Sequence, residues 1–324
     1  MSGALITGIT GQDGSYLGGR LVGEGLPVHG MVRPGDDAAS WVRRSHPEIV
    51  LHEVDLADDE GVQRLVVGLA PDEIYNLAGI SSVAQSWSEP VLTGTLSGTA
   101  VASLLAAAWR VQEESGRLVR VVQASSAEIF GWPLTSPQDE ATPIHPVSPY
   151  GAAKAFGHHL VDVYRGRGLH ASACILYNHE SPRRPPTFVT RKITREVARI
   201  ARGDATTLTL GNLDVRRDWG WAPDYVDAMI RAVRHERADD FVVATGVSNS
   251  VSDFVRIAFA RVGIQDWQDH VELDARFARP VDAPELVGDA SKARRELAWQ
   301  PTVPFEEIVH RMVDHDVAAL AAER

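Results

Sequence analysis

Ala4-Leu5-Ile6-Thr7-Gly8-Ile9-Thr10-Gly11-Gln12-Asp13-Gly14 is the stretch whose reading decides the fold. Ala4 to Thr7 is a short apolar strand, glycine recurs at positions 8, 11 and 14, and residues 15–24 carry a helical pattern. A strand that runs through glycines into a helix lets the backbone approach a pyrophosphate at the helix's positive end. The spacing is Gly-x-x-Gly-x-x-Gly, not the tighter Gly-x-Gly-x-x-Gly, so its place directly after a strand gives it its weight. Gly8, Gly11, Gln12, Asp13 and Gly14 are therefore candidate cofactor-binding residues.

Working outward, a second strand over 27–32 ends at Arg33. An acidic residue here would hydrogen-bond the ribose of NAD, whereas Arg accommodates a 2′-phosphate, so NADP is favoured over NAD. Asp36 and Asp37 follow closely and would oppose that phosphate. A third strand, 48–54, ends at Asp55 and Leu56, positioned to meet an adenine edge. A fourth, 73–77, ends at Asn76-Leu77-Ala78-Gly79, and ligands of open sheets bind at such carboxyl ends. Residues 58–68 read as an amphipathic helix and 90–114 as one long Ala- and Leu-rich helix. A fifth strand, 120–124, delivers Ser125-Ser126-Ala127-Glu128, and a sixth covers 171–176. This alternation predicts an α/β fold with a doubly wound parallel sheet of Rossmann type.

Ser148-Pro149-Tyr150-Gly151-Ala152-Ala153-Lys154 opens the helix between the last two of these strands. Tyr150 and Lys154, four residues apart, share one helix face. The ammonium would hold the phenol near ionisation, and a phenolate is a base able to take a proton from a hydroxyl. The chain has three lysines in all (Lys154, Lys192, Lys292), so this placement is not background.

Beyond Asn178 the alternation breaks at Pro182, Pro185 and Pro186. Arg191, Arg195, Arg199 and Arg202 then fall on one helix face; a solvated face and a diphosphate or oligomer contact both fit that stripe. Further helices are expected over 224–234, 252–262 and 305–320, with strands at 206–210 and 240–245. The division expected is a dinucleotide-binding domain over 1–177 with later sheet elements near 222–251, and an interleaved, smaller substrate lobe over 178–324.

Composition limits the function. A net charge of -11 argues against nucleic acid, whose binding is driven by phosphate neutralisation. The single Cys174 precludes an internal disulfide and fits a reducing compartment. The chain opens straight into a strand with no leader pattern, and no apolar run approaches a membrane span, so a cytoplasmic protein is expected. No metal site is expected.

Together, the glycine turn, Ser126 at a strand end and the Tyr150/Lys154 helix resemble the extended short-chain dehydrogenase/reductase superfamily. Longer strings are more specific. Gly8 to Leu17, Asn178-His179-Glu180-Ser181-Pro182-Arg183-Arg184, Phe188 to Arg195, Leu210-Gly211-Asn212-Leu213-Asp214 with Arg217-Asp218-Trp219-Gly220, and Gly288-Asp289 with Ser291-Lys292-Ala293 resemble GDP-mannose 4,6-dehydratases.

That resemblance implies catalytic roles for Ser126, Glu128, Tyr150 and Lys154. Tyr150 takes the C4 hydroxyl proton while hydride passes to NADP, Ser126 bonds that oxygen, and Lys154 keeps Tyr150 reactive and touches the nicotinamide ribose. Glu128 removes the C5 proton so that the C6 hydroxyl leaves as water, and the hydride returns to C6. It further implies Asn178, Lys192, Arg217 and Arg279 at the nucleotide diphosphate, Ser81 at the sugar and Asp282 at the ribose. Leu77, with Asp55, Leu56 and Arg33, would line the dinucleotide. A GDP-sugar substrate and a homodimer or homotetramer complete what the family implies.

Four positions depart from the family pattern. Ala127 stands where relatives carry a hydroxyl or an Asp, Pro34 where a second Arg follows Arg33, Gly79-Ile80-Ser81-Ser82 replaces Ala-Gln-Ser-His, and Asp282 replaces a Glu. They leave open a GDP-heptose 4,6-dehydratase, a nucleotide-sugar epimerase or 4-keto reductase on the same scaffold, and a silent nucleotide-sugar-binding protein.

Overall fold

The computed structural model describes residues 3–277 and 281–323. The chain opens with β1 (Ala4–Thr7), α1 (Gln12–Gly23), β2 (Val28–Val32), α2 (Ala39–Ser45), β3 (Val50–Glu53), α3 (Asp59–Leu69) and β4 (Glu73–Asn76). Helices α4 (Val83–Ser88), α5 (Pro90–Gly94) and α6 (Ala100–Ser115) lead to β5 (Arg120–Ser126), α7 (Pro149–Gly166) and β6 (His170–Leu176). There follow β7 (Asn178–Glu180), α8 (Val189–Arg202), β8 (Leu208–Leu210), β9 (Arg216–Trp221), α9 (Ala222–Arg234), β10 (Asp240–Val243) and β11 (Ser248–Ser250). The chain closes with α10 (Val251–Arg261), β12 (Val271–Leu273), β13 (Glu285–Leu286), α11 (Ser291–Glu296) and α12 (Phe305–Ala322).

Seven strands form one parallel sheet in the order β10-β6-β5-β4-β1-β2-β3, the doubly wound α/β arrangement that the alternation predicts. Its central strands β1, β4, β5 and β6 are largely buried because both faces are covered. Leu5, Ile74 and Val121 point to the side of α3, α6 and α7, while their neighbours Ile6, Tyr75 and Val122 point to the side of α1 and α9. The chain winds outward from β1 through β2 to β3, then returns to β4 on the other side of β1. Ligands of such sheets bind at this reversal, outside the carboxyl ends of the strands.

A smaller sheet, β11-β9-β13 with β7 also paired to β9, and the pair β12-β8 lie beyond. They rest on a separate aromatic cluster in which the Trp219 and Phe305 rings stack at 5.6 Å and Phe254 packs edge-on to both.

Two local readings change. Helix α1 begins at Gln12, three residues before the expected start at 15, because the Ser15 amide already donates to the Gly11 carbonyl at 3.0 Å. The long helix over 90–114 is interrupted by a π-turn, Thr95–Thr99, where the Thr99 hydroxyl reaches the Gly94 carbonyl at 3.5 Å. A Cβ on Gly98 would stand 3.4 Å from the Ala153 carbonyl, so the widened turn lies directly against α7. The run Pro90–Ser115 spans 26 residues and is long and apolar enough to cross a membrane, which corrects the expectation that no run approaches that length. Half of its apolar window is buried, against α3 and α7.

Between β2 and β3, His29 Nδ1 and His52 Nε2 lie 2.9 Å apart, so one ring must donate and the other accept. Burial pushes both rings below their ordinary value of 6.5, and His29 pushes His52 further. The unfolded chain therefore binds more protons just below that value. The pair's contribution to stability is complete above pH 6.5 and is lost as pH falls through the lowered folded values. In urea unfolding between pH 7 and 5, His52→Gln is expected to lose stability less steeply than the wild type; parallel slopes would contradict this.

Candidate active site

The glycine turn sits at the reversal point. Gly8 has φ +70°, and a Cβ there would stand 3.0 Å from the Ala78 backbone. A Cβ on Gly14 would meet the Gly8 carbonyl at 2.2 Å, so only glycine lets α1 close onto the turn. Gly11, the N-cap of α1, has no side chain to cap its first amides, which leaves a cradle suited to a phosphate. Beneath it, buried Thr7 donates to Asn76 Oδ1 at 2.7 Å and accepts the Leu77 and Ala78 amides at 3.1 Å. Asn76 passes the line to Gln123 at 2.6 Å, which fixes the carboxyl ends of β1, β4 and β5 in register. These residues fit the dinucleotide that the sequence implies.

Strand β5 ends at Ser126, whose Oγ accepts the Glu128 amide at 3.3 Å and so starts the short turn that presents Glu128. Helix α7 begins beside it: the Ser148 hydroxyl caps the Gly151 amide at 3.0 Å, and Pro149 supplies a first helical residue that needs no donor. This entry buries Tyr150 and Lys154 in the first turn and a half of the helix. The Ser126 hydroxyl lies close enough to Tyr150 to favour its ionised form and the Glu128 carboxylate close enough to oppose it, so three of the four candidate catalytic groups are brought together.

Lys154 is tied to β5. Its ammonium donates to the Ala124 carbonyl at 2.9 Å and lies 5.8 Å from the centre of the Tyr150 ring. Burial pushes the phenol up to about 12, with Ser126 working in the opposite direction and Glu128 in the same one. Burial likewise pushes Lys154 down to about 8. In the protein by itself, burial therefore outweighs the charges and hydrogen bonds that would lower the phenol.

Gln12 and Asp13 look away from the turn and tie it to β7. Gln12 Nε2 donates to the His179 carbonyl at 3.0 Å and Gln12 Oε1 accepts the Ser181 hydroxyl at 2.8 Å. His179 donates from Nδ1 to the Tyr177 carbonyl at 2.7 Å and from Nε2 to the Asp13 carboxylate at 2.9 Å. A ring that donates from both nitrogens is an imidazolium. Burial opposes that charge, but Asp13 outweighs it and holds His179 above its ordinary value. Asp13 is itself buried, yet His179 keeps its carboxyl below the usual range. Beyond it, Arg183 stacks on Tyr16 at 3.9 Å and donates to Ser15 at 3.1 Å, and Arg184 lies over the Phe188 ring at 3.9 Å. His179, Arg183 and Arg184 stood in the sequence only as parts of a family string; the side-by-side placement of Gln12-Asp13 and His179 in space is what gives them a task.

The candidate substrate residues lie on several elements. Asn178 opens β7 opposite Trp219 of β9, and exposed Ser81 follows β4. Lys192 is lowered by burial and sits over the Phe277 ring at 3.8 Å. Buried Arg217 pairs with Asp282 and donates to the Ala283 carbonyl at 2.9 Å, so two candidates are joined to each other. Arg279 lies outside the described residues. At the adenine end, Asp55 accepts the Ala57 amide at 2.9 Å and lines a cavity with Pro34 and Asp58, while Leu56 packs inward and Arg33 stands exposed.

The arginine stripe divides. Arg195, Arg199 and Arg202 line an outer groove, but Arg191 turns inward onto Asp316 of α12, with Nε 3.0 Å from Oδ2. Thr194 donates to the same carboxylate at 2.7 Å, and Arg191 also holds the Pro182 carbonyl of the loop before α8. Removing one partner of a buried pair leaves an uncompensated charge. Asp316→Ala is expected to cost about 3–5 kcal/mol in urea unfolding. Asp314→Ala, which breaks the exposed pair with Arg261, should stay within about 1 kcal/mol. Equal effects would remove Arg191–Asp316 as an anchor.

A doubly wound sheet with a glycine turn at its reversal and a Ser-Tyr-Lys set at the end of the fifth strand defines the extended short-chain dehydrogenase/reductase class. A UDP-glucose 4-epimerase of Thermus thermophilus, solved in complex with NAD, superposes with a TM-score of 0.84 at 26% identity over 98% of this chain and 99% of that one. Within the class, residues 5–312 match the family model described as GDP-mannose 4,6 dehydratase. GDP-mannose 4,6 dehydratase 1 of Arabidopsis thaliana is 44% identical over 99% of this chain and 91% of its own. The human GDP-mannose 4,6 dehydratase is 40% identical over 97% and 91%. The chain belongs to the GDP-mannose 4,6-dehydratase family.

Proposed function

We propose that this protein is an NADP-dependent 4,6-dehydratase that converts GDP-mannose, or a close GDP-sugar, to the GDP-4-keto-6-deoxy sugar. The observation that carries the reading is the meeting of Ser126, Glu128 and Tyr150 at the carboxyl end of β5, above the glycine turn. When bound, a nicotinamide dinucleotide supplies a hydride acceptor for C4, a hydride donor for C6 and, oxidised, a positive charge that offsets burial.

Tyr150, as phenolate, accepts the C4 hydroxyl proton, and Ser126 donates a hydrogen bond to that oxygen as it becomes a ketone. The ketone acidifies the C5 proton, which Glu128 takes; the C5 electron pair forms the C5–C6 double bond as the C6 oxygen leaves. Ala127 is buried and holds no proton, so Glu128 returns the same proton to the departing hydroxide, and water leaves. After hydride addition at C6, C5 takes up a proton that balances the one Tyr150 took from the C4 hydroxyl, so Tyr150 ends the cycle as phenolate and no net redox change remains. Each transfer needs one group within hydrogen-bond reach of its proton.

Asn178, Lys192, Arg217 and Arg279 are assigned to the diphosphate, Ser81 to the sugar and Asp282 to the ribose. Gly8, Gly11 and Gly14 are assigned to the pyrophosphate of the dinucleotide, with Asp55, Leu56 and Leu77 toward its adenosine half and Arg33 at its 2′-phosphate. Exposed Val91 and Leu92 on α5 and Phe156 and Val163 on α7 support a homodimer or homotetramer. Ala127 favours a second reading, an epimerase or 4-keto reductase on the same scaffold, and the altered Gly79-Ile80-Ser81-Ser82 segment favours a GDP-heptose substrate.

Incubation with GDP-mannose and no external reductant, followed by product mass, separates these. Loss of one water supports dehydration. Unchanged mass with altered stereochemistry supports the epimerase, and a GDP-mannose left intact while a GDP-heptose loses water reassigns the sugar.

A further inference from the structure

The residues that would meet the adenosine ribose carry an unusual balance of charge. Thr10, inside the glycine turn, donates from Oγ1 to Asp36 Oδ2 at 2.9 Å, and Asp36 Oδ1 accepts the Ala38 amide at 3.0 Å. The Asp36 amide in turn closes onto the Arg33 carbonyl at 3.1 Å. A carboxylate is thus pinned one hydrogen bond from the phosphate-binding turn, on the same short loop as the arginine expected to take a 2′-phosphate. Arg33 itself is exposed, and its guanidinium makes no hydrogen bond or ion pair with the described residues.

The neighbouring cavity of about 690 Å³ adds to the imbalance. Its lining includes the carboxylates of Glu53, Asp55 and Asp58, against the single guanidinium of Arg64, which pairs with Glu60 at 3.2 Å and Asp58 at 3.8 Å. A carboxylate fixed at this place accepts hydrogen bonds from ribose hydroxyls and repels a dianionic phosphate, while an exposed arginine attracts the phosphate.

We propose that Asp36 is a specificity-determining residue for the dinucleotide: fixed by Thr10, it receives the ribose hydroxyls of NAD, opposes the 2′-phosphate that Arg33 attracts, and so holds the affinities for NAD and NADP close together. The inference deepens the reading of the glycine turn as a dinucleotide site and rests on it. Pro34 strengthens it, because it cannot supply the second guanidinium that would outweigh the carboxylate.

Calorimetric titration of the nucleotide-free full chain with NAD+ and with NADP+ tests this by binding alone. The wild type is expected to bind both, with dissociation constants within about tenfold of each other. Asp36→Asn keeps an amide oxygen to accept from Thr10, so the turn is preserved while the charge is lost. It should shift the ratio of the two constants about tenfold or more toward NADP+, the size of a charge-assisted hydrogen bond. Arg33→Ala should shift the ratio by a similar factor toward NAD+. A ratio for Asp36→Asn that stays within about twofold of the wild type, with both dinucleotides still bound, overturns the proposal and leaves the dinucleotide site standing. A wild type that binds neither overturns both.

Discussion

Tyr150→Phe is expected to lower kcat for GDP-mannose dehydration by about 10²–10⁴-fold, the usual contribution of a positioned acid–base group. The substitution removes one oxygen from a buried site and keeps the ring, so the packing of α7 on the sheet is preserved. The affinity for GDP-mannose should change little, because the phenol acts on a proton and holds no phosphate. The pH profile gives a second readout. Burial pushes the phenol up to about 12 in the protein alone, so activity that depends on phenolate rises with pH through the neutral range, and Tyr150→Phe should flatten that rise. A variant with near-normal kcat would remove Tyr150 from the chemistry.

Glu128→Gln is the second large effect. The amide keeps the size and one acceptor oxygen but cannot take the C5 proton, so formation of the 6-deoxy product should fall by about 10²–10⁴-fold. Proton removal at C4 does not involve Glu128, so the variant should still form the C4 ketone with its C6 hydroxyl in place, detectable by mass after chemical trapping. Because buried Ala127 offers no second donor, no neighbouring side chain at that position can rescue the step. Normal dehydration by Glu128→Gln would assign the base elsewhere.

The sheet was legible because its signals are local. Strand, glycine turn and helix lie within about two dozen residues, and the apolar runs of β1, β5 and β6 report strands buried on both faces. The π-turn inside 90–114 was not legible: glycines there suit close packing equally well, and the turn's packing against Ala153 of α7 is a contact remote in sequence. Partners remote in sequence were hidden in the same way. Arg191 looked like one member of a surface stripe until α12 brought Asp316, 125 residues on, beneath it. Asp13 looked like a turn residue until β7 brought His179, 166 residues away, onto its carboxylate. The balance of burial against charge at Tyr150 and Lys154 also depends on depth in the fold, which helical spacing does not report.

The central claim is that oxidation at C4 and reduction at C6 are the two halves of one closed cycle within a single active site. GDP-mannose carrying deuterium at C4 tests it most directly, with unlabelled dinucleotide present and the product read by mass and NMR. The label should appear in full at C6 of the 4-keto-6-deoxy product, at the same position whether or not free dinucleotide is in excess. A C6 without deuterium, or label escaping into the free dinucleotide pool, would contradict the cycle.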